Sequence, residues 1–217
     1  MATVNRCALL ALLTLVACSP QPVEVHTSLR FTAAQELDAL RAALPPALLA
    51  SLGGDVPFSW PDSAPPLLLR LEVFERARID FTGSGSLSPS EVAAVRVKRV
   101  TARVPLVIDF PLTPVPAELE ILVAPFSATS PADPKALSLA RGAWPGTPLP
   151  ADAGPPTFLR ELPLAAGGAG ALAELLASSN KVALFAVLRT SLDSRLDPHR
   201  PRGAADVEVF LELEFVP

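Results

Sequence analysis

The last stretch of the chain sets the strongest limit on the fold. Val207, Val209, Leu211, Leu213 and Phe215 alternate with polar positions that include Glu208, Glu212 and Glu214. A period of two puts all five apolar side chains on one face of a β-strand and spreads them around a helix, so the segment predicts a long half-buried strand. The period recurs at Val23 to Phe31, at Leu67 to Val73, at Leu119 to Val123 and at Val182 to Leu188, and more briefly at Phe158 to Leu162. Two segments slip phase. Beyond Val73 the apolar face switches near Phe74 to Ala77, before Ile79 and Phe81. Beyond Val95 and Val97 it moves at Arg99 onto Val100, Ala102 and Val104, in a strand that runs to about Ile108. A β-bulge produces such slips, and a tight turn would also account for the first.

Helical signals are few. Thr32 with Gln35 forms a capping box ahead of Leu37, Leu40 and Leu44, which recur at helical spacing until Pro45-Pro46 breaks the pattern. Ala47 to Leu52 adds at most a short turn of helix before Gly53-Gly54. Leu172, Leu175 and Leu176 mark a second helix, opened by Gly170 and closed by Asn180 in the left-handed conformation. The stretch Pro125 to Pro156 holds eight prolines and reads as a long loop, with only Ala136 to Arg141 able to supply a short edge strand. Asp193 to Ala205 reads as a polar hairpin loop between the final strands. Seven or eight alternating strands with two short helices point to a mainly β chain, an antiparallel β-sandwich of immunoglobulin-like kind whose first helix plugs one end or edge. The alternative is an open α+β sheet with both helices on one face.

The N-terminus carries a different signal. Arg6 precedes the apolar run Ala8 to Leu13, and the segment closes as Leu15-Val16-Ala17-Cys18. A run this short fits a cleaved secretory leader and not a mature span, which needs about 20 apolar residues. Leu15-Val16-Ala17-Cys18 resembles the lipobox of bacterial lipoproteins. The resemblance covers only the leader and implies cleavage before Cys18, a thioether-linked diacylglycerol and an N-linked acyl chain such as palmitate. Two or more chains anchor a protein stably, whereas one does so marginally. Ser19 follows the cysteine where an Asp would signal retention, so the resemblance implies an outer-membrane, lipid-anchored protein on the periplasmic or surface side. The expected organisation is a signal peptide at 1–17, a tether at 18–22 and one β-sandwich domain at 23–217. The abundance of Ala, Leu, Pro and Arg, with the succession of sandwich strands, a late helix and two final strands, is similar to uncharacterised lipoproteins of GC-rich Gram-negative bacteria. That likeness brings no activity with it.

Without the leader, 200 of the 217 residues remain, carrying 17 cations against 22 acids. This size suits one well-buried core, and the mild acidity argues against general nucleic-acid binding. Cys7 leaves with the leader and Cys18 is taken by lipid, so no disulfide supports the core.

Catalytic chemistry has little to stand on. The two histidines, His26 and His199, lie on separate elements, and Gly83-Ser84-Gly85-Ser86 has neither the spacing of a nucleophile elbow nor the Lys-Ser/Thr end of a phosphate loop. Asp193, Asp197, His199 and Asp206 could supply ligands to calcium, but Arg195, Arg200 and Arg202 intervene and the spacing matches no calcium loop. The expectation is no catalytic residue, no metal and no cofactor. Arg70, Arg76, Arg78, Arg96, Lys98, Arg99 and Arg103 would form a cationic stripe for an anionic polymer if their strands were neighbours, and otherwise a solvated face balanced by Glu72, Glu75 and Asp80. Trp60 and Trp144 each precede a proline in a Pro-rich loop. Exposed there, they can stack on sugar rings or anchor a protein; buried, they cap the open end of the core. The sequence therefore favours a lipid-anchored envelope binding or structural module that acts on an envelope protein or glycan and does no chemistry. The alternative is a periplasmic carrier of an apolar ligand.

Overall fold

The computed structural model describes residues 21–51, 68–81, 95–108, 117–144, 147–148, 158–193 and 204–215. In chain order the elements are β1 (Gln21–Thr32), α1 (Ala33–Ala43), α2 (Pro46–Ser51), β2 (Leu68–Asp80), β3 (Val95–Ile108), β4 (Ala117–Pro125), β5 (Leu137–Trp144), β6 (Thr147–Pro148), β7 (Phe158–Leu162), α3 (Gly168–Ser179), β8 (Lys181–Asp193) and β9 (Ala204–Phe215). The strands form two antiparallel sheets, ordered β1-β9-β3-β7-β6 and β2-β8-β4-β5. The chain is mainly β and its sheets face each other as a β-sandwich. Most connections cross between sheets, and only β4–β5 and β6–β7 pair as sequence neighbours. β8 and β9, expected to be joined by a hairpin loop, lie in opposite sheets. β8 and β9 are each inner strands of their sheets, with both edges paired.

One cluster fills the space between the sheets. Leu29 and Phe31 from β1, Val209, Leu211 and Leu213 from β9, and Val97, Val100 and Ala102 from β3 meet Leu119, Ile121 and Val123 from β4 and Val182, Leu184, Ala186 and Leu188 from β8. The period-two pattern is thus the inward face of each strand. At β3 the register against β9 shifts between Val97 and Arg99. Lys98 and Arg99 are both exposed there while Val97 and Val100 stay buried, so the extra residue keeps Arg99 out of the core, as the slip in the sequence predicted. A second shift, between Arg103 and Leu106, had no counterpart in the sequence reading.

The slip expected in β2 is absent. Its register against β8 runs unbroken from Leu68 to Asp80. Val73, Ala77 and Ile79 all pack on the inter-sheet core, so the apparent change of face is one polar residue, Glu75, standing on the inward side. Its partner explains it: Gln35 Nε2 of α1 donates to Glu75 Oε1. Gln35 Oε1 in turn accepts from the Thr32 N–H at 2.6 Å, so the capping box and the inward carboxylate form one chain of hydrogen bonds. α1 buries Leu40 and Leu44 and lies against β1 and β2, the edge strands on that side of the sandwich. It therefore covers an open edge, as expected of the first helix. The residues around Ala47 form α2, so the described helices number three and not two.

At the opposite edge α3 packs on β4, β5 and β8. It starts at Gly168, two residues ahead of the expected opening, after Gly167 in the left-handed region (φ 80°). A Cβ on Gly168 would come within 2.7 Å of Leu139 Cα, so only glycine lets the helix start approach β5 this closely. Asn180 ends α3 in the left-handed conformation (φ 51°) as predicted. The Pro-rich stretch is more ordered than its composition suggested: β5 is an eight-residue strand. Its outer edge is covered in part, because the Arg141 N–H donates to Pro163 O at 3.0 Å and the Ala165 N–H to Leu139 O at 2.9 Å.

Candidate functional site

The outward faces of the two sheets differ in chemistry. In the five-stranded sheet β9 presents Asp206, Glu208, Phe210, Glu212 and Glu214, all half-buried. Strand register sets arginines on both sides: Arg30 of β1 lies opposite Asp206, and Arg103, Arg99 and Arg96 of β3 face Glu208, Glu212 and Glu214, while His26 of β1 lies opposite Phe210. The contacts follow the register. Arg99 donates to Glu212 Oε2 through Nε at 3.0 Å and Nη2 at 2.6 Å, Lys98 reaches Glu214 at 2.6 Å, Arg30 reaches Asp206 at 3.4 Å and Arg103 approaches Glu208 at 3.7 Å. The hydrogen bond to Glu212 leads the interactions that raise the Arg99 pKa above its ordinary value. Glu24 stands directly opposite Glu212 across β1 and β9, a like-charge pair that Arg99 compensates.

Phe210 interrupts this ladder. Its ring stacks on His26 with centroids 4.6 Å apart and planes 11° off parallel, and Thr101 of β3 lies opposite it on the other side. Glu24, Arg99, Thr101, Arg103, Leu159, Phe210 and Glu212 line an open groove of about 330 Å³ across β1, β9, β3 and β7. Leu159, 39% exposed, forms an apolar wall on β7. The groove offers an aromatic surface, a hydroxyl, and two guanidinium and two carboxylate groups in balance. Such a set can bind; it holds no nucleophile with a base and orienter beside it.

The four-stranded sheet uses its outward face for packing. β8 is buried on both sides from Val182 to Leu188. Ala183, Phe185 and Val187 pack outward with Ala124 of β4 and Ala128 of the turn after it, joined by Leu122 and Ala136. Phe74 of β2 meets Phe185 edge-on with centroids 6.0 Å apart. Arg76 Nη1 donates to Ala128 O at 2.6 Å, and Arg78 and Lys181 lie over the Phe126 ring at 5.2 and 5.7 Å, so residues 126–136 are tied down as a cover. Next to this patch Arg189 of β8 joins three acids. It donates through Nε to Glu72 Oε2 at 2.8 Å, through Nη1 to Glu118 Oε1 at 3.2 Å, and through Nη1 to Glu120 Oε2. Arg141 Nη2 donates to Glu118 Oε2 at 2.7 Å. Burial works against the charge of Arg189, but its hydrogen bonds to Glu120 and Glu72 outweigh that and hold its pKa above the ordinary value. The hydrogen bond from Arg141 leads the interactions that lower the Glu118 pKa. Glu120, 7% exposed, is the one buried charged side chain among the described residues.

The residues singled out from sequence fall as follows. The seven cations are divided: Arg70, Arg76 and Arg78 lie in the four-stranded sheet, and Arg96, Lys98, Arg99 and Arg103 in the five-stranded one. They form no single stripe, because β2 and β3 belong to opposite sheets. The three acids expected to balance them have partners elsewhere in the fold: Glu72 is held by Arg189 of β8, Glu75 by Gln35 of α1 and Asp80 by Lys181 of β8. Asp193 ends β8 and Asp206 lies on β9 in the other sheet, while Asp197 and His199 lie outside the described residues. Among the described residues no group of His, Cys, Asp and Glu could hold a metal ion. Trp144 is the last residue of β5, opposite Ala117. Cys18, Trp60, Ser84 and Ser86 lie outside the described residues. No helix of the described residues is long and apolar enough to cross a membrane.

Sequence reasoning missed Phe210 and the Arg189 cluster. Each left a trace: an aromatic at an outward position of an otherwise acidic alternation, and an arginine directly after the apolar run 182–188. Comparisons with protein-family models, curated proteins and solved structures return no match.

Proposed function

We propose that this protein is a lipid-anchored binding module of the cell envelope, held at the outer membrane through acylated Cys18 and working without catalysis. The observation that carries the binding reading is the groove around Phe210, where an aromatic ring and a hydroxyl lie among cross-strand ion pairs on the outward face of the five-stranded sheet. A partly exposed aromatic on the outward face of a sheet gains little for folding and offers a contact surface to a partner. Leu15-Val16-Ala17-Cys18 supports the anchor. In cells given labelled palmitate, the chain should take up label and the Cys18→Ala variant should not; equal labelling contradicts the anchor. Protein lacking residues 1–18 should sediment saturably with isolated envelope, and Phe210→Ala should abolish most of that retention. Retention unchanged by Phe210→Ala contradicts the groove as the binding face.

A further inference from the structure

The charges of the groove restrict what it can hold. Arg99 is engaged twice by Glu212, and Glu24 adds a second carboxylate to the lining. A phosphate or sulfate entering here would displace a bidentate partner and meet two fixed negative charges, so the site disfavours polyanions although two arginines line it. A neutral polyol meets no such conflict. Carboxylates accept from hydroxyls, guanidinium groups and Thr101 donate to them, and the Phe210 ring with Leu159 supplies the apolar surface against which the C–H face of a pyranose packs. The volume, about 330 Å³, lies at the small end of ligand sites, which span roughly 300–1,000 Å³, and suits one or two rings.

Resting on the groove being the binding face, we propose that its ligand is an uncharged saccharide unit of an envelope glycan, stacked on Phe210 and hydrogen-bonded by Thr101, Arg103 and Glu24. Arg99 and Glu212 act on each other and fix the wall; Thr101 and Arg103 face the ligand.

The test titrates the detergent-solubilised full chain with neutral hexose and N-acetylhexosamine oligosaccharides, with dextran sulfate and with inorganic phosphate. A neutral oligosaccharide should bind. Phe210→Ala and the near-isosteric Thr101→Val should each weaken it up to about tenfold, since a stacked ring and a single hydrogen bond each contribute up to about one decade in affinity. Thr101→Val exchanges one β-branched strand residue for another of nearly the same shape, so the fold is retained and a loss of binding reports the hydroxyl. If dextran sulfate or phosphate binds in a Phe210-dependent manner and neutral sugars do not, the ligand class is wrong and the groove stands. If sugars bind equally to all three chains and Phe210→Ala leaves envelope retention intact, the groove itself falls and the saccharide assignment with it.

Discussion

The outward faces of the two sheets start from similar strands and end in different roles. On the five-stranded sheet, β9 is apolar inward and acidic outward except at Phe210, and cations on the neighbouring strands answer most of its acids. On the four-stranded sheet, β8 is apolar on both sides, and residues 126–136 close over the second side. The lesson is that an outward-facing residue means different things on the two faces. Phe185 and Phe210 both point away from the inter-sheet core, but Phe185 is fully buried under a cover whereas Phe210 lines an open groove.

The largest expected effect separates these two rings. Phe185→Ala should cost about 3–5 kcal/mol, the range for a buried aromatic, while Phe210→Ala should cost about 1 kcal/mol or less, the worth of one stacked pair on a surface. Equal shifts in a denaturant titration would show that the 126–136 cover is not formed in solution. Next comes the ion cluster on the four-stranded face. Arg189→Gln removes a guanidinium that three acids share and leaves Glu120 buried without its charged partner, at a cost of about 1–3 kcal/mol. The more accessible counterpart on the other face, Glu212→Ala, should cost less than about 1 kcal/mol. If Glu212→Ala proves the more damaging, the two faces have been assigned the wrong way round.

The smallest effect is on pH dependence. The Glu118 pKa is lowered in the fold, so its stabilisation is present above the ordinary carboxylate value and is lost as pH falls through the lowered one. Thermal midpoints of the wild type and Glu118→Gln should therefore differ most above about pH 5 and converge in acid. A gap that widens on acidification would contradict this sign.

The same contrast explains what the sequence made legible. Period-two alternation located most of the long strands, because one-sided burial writes itself into the pattern. The Lys98–Arg99 bulge was readable since regular alternation would turn one of two consecutive charges into the core. β2 was misread because Glu75 sits inward with a partner, Gln35, 40 residues away in sequence, a pairing no local pattern reveals. The double burial of β8 left only an unbroken apolar run, and the cover that explains it comes from a stretch whose prolines suggested a loop. The seven cations looked like one cluster because they are close in the chain, yet the crossing from β2 to β3 sends them to opposite sheets. The groove assembles from four strands spread over nearly 190 residues, from Glu24 to Glu212, and so had no linear signature.

The central proposal is that the five-stranded face binds while the four-stranded face holds the fold, and one paired measurement tests it. Protein lacking residues 1–18 and bearing either Phe210→Ala or Phe185→Ala would be assayed for both thermal midpoint and retention on isolated envelope. Phe210→Ala should lose most of the retention with a midpoint within a few degrees of wild type, and Phe185→Ala should lose many degrees while its folded fraction is still retained. The reverse pattern, or parallel losses of both properties in both variants, would contradict the account.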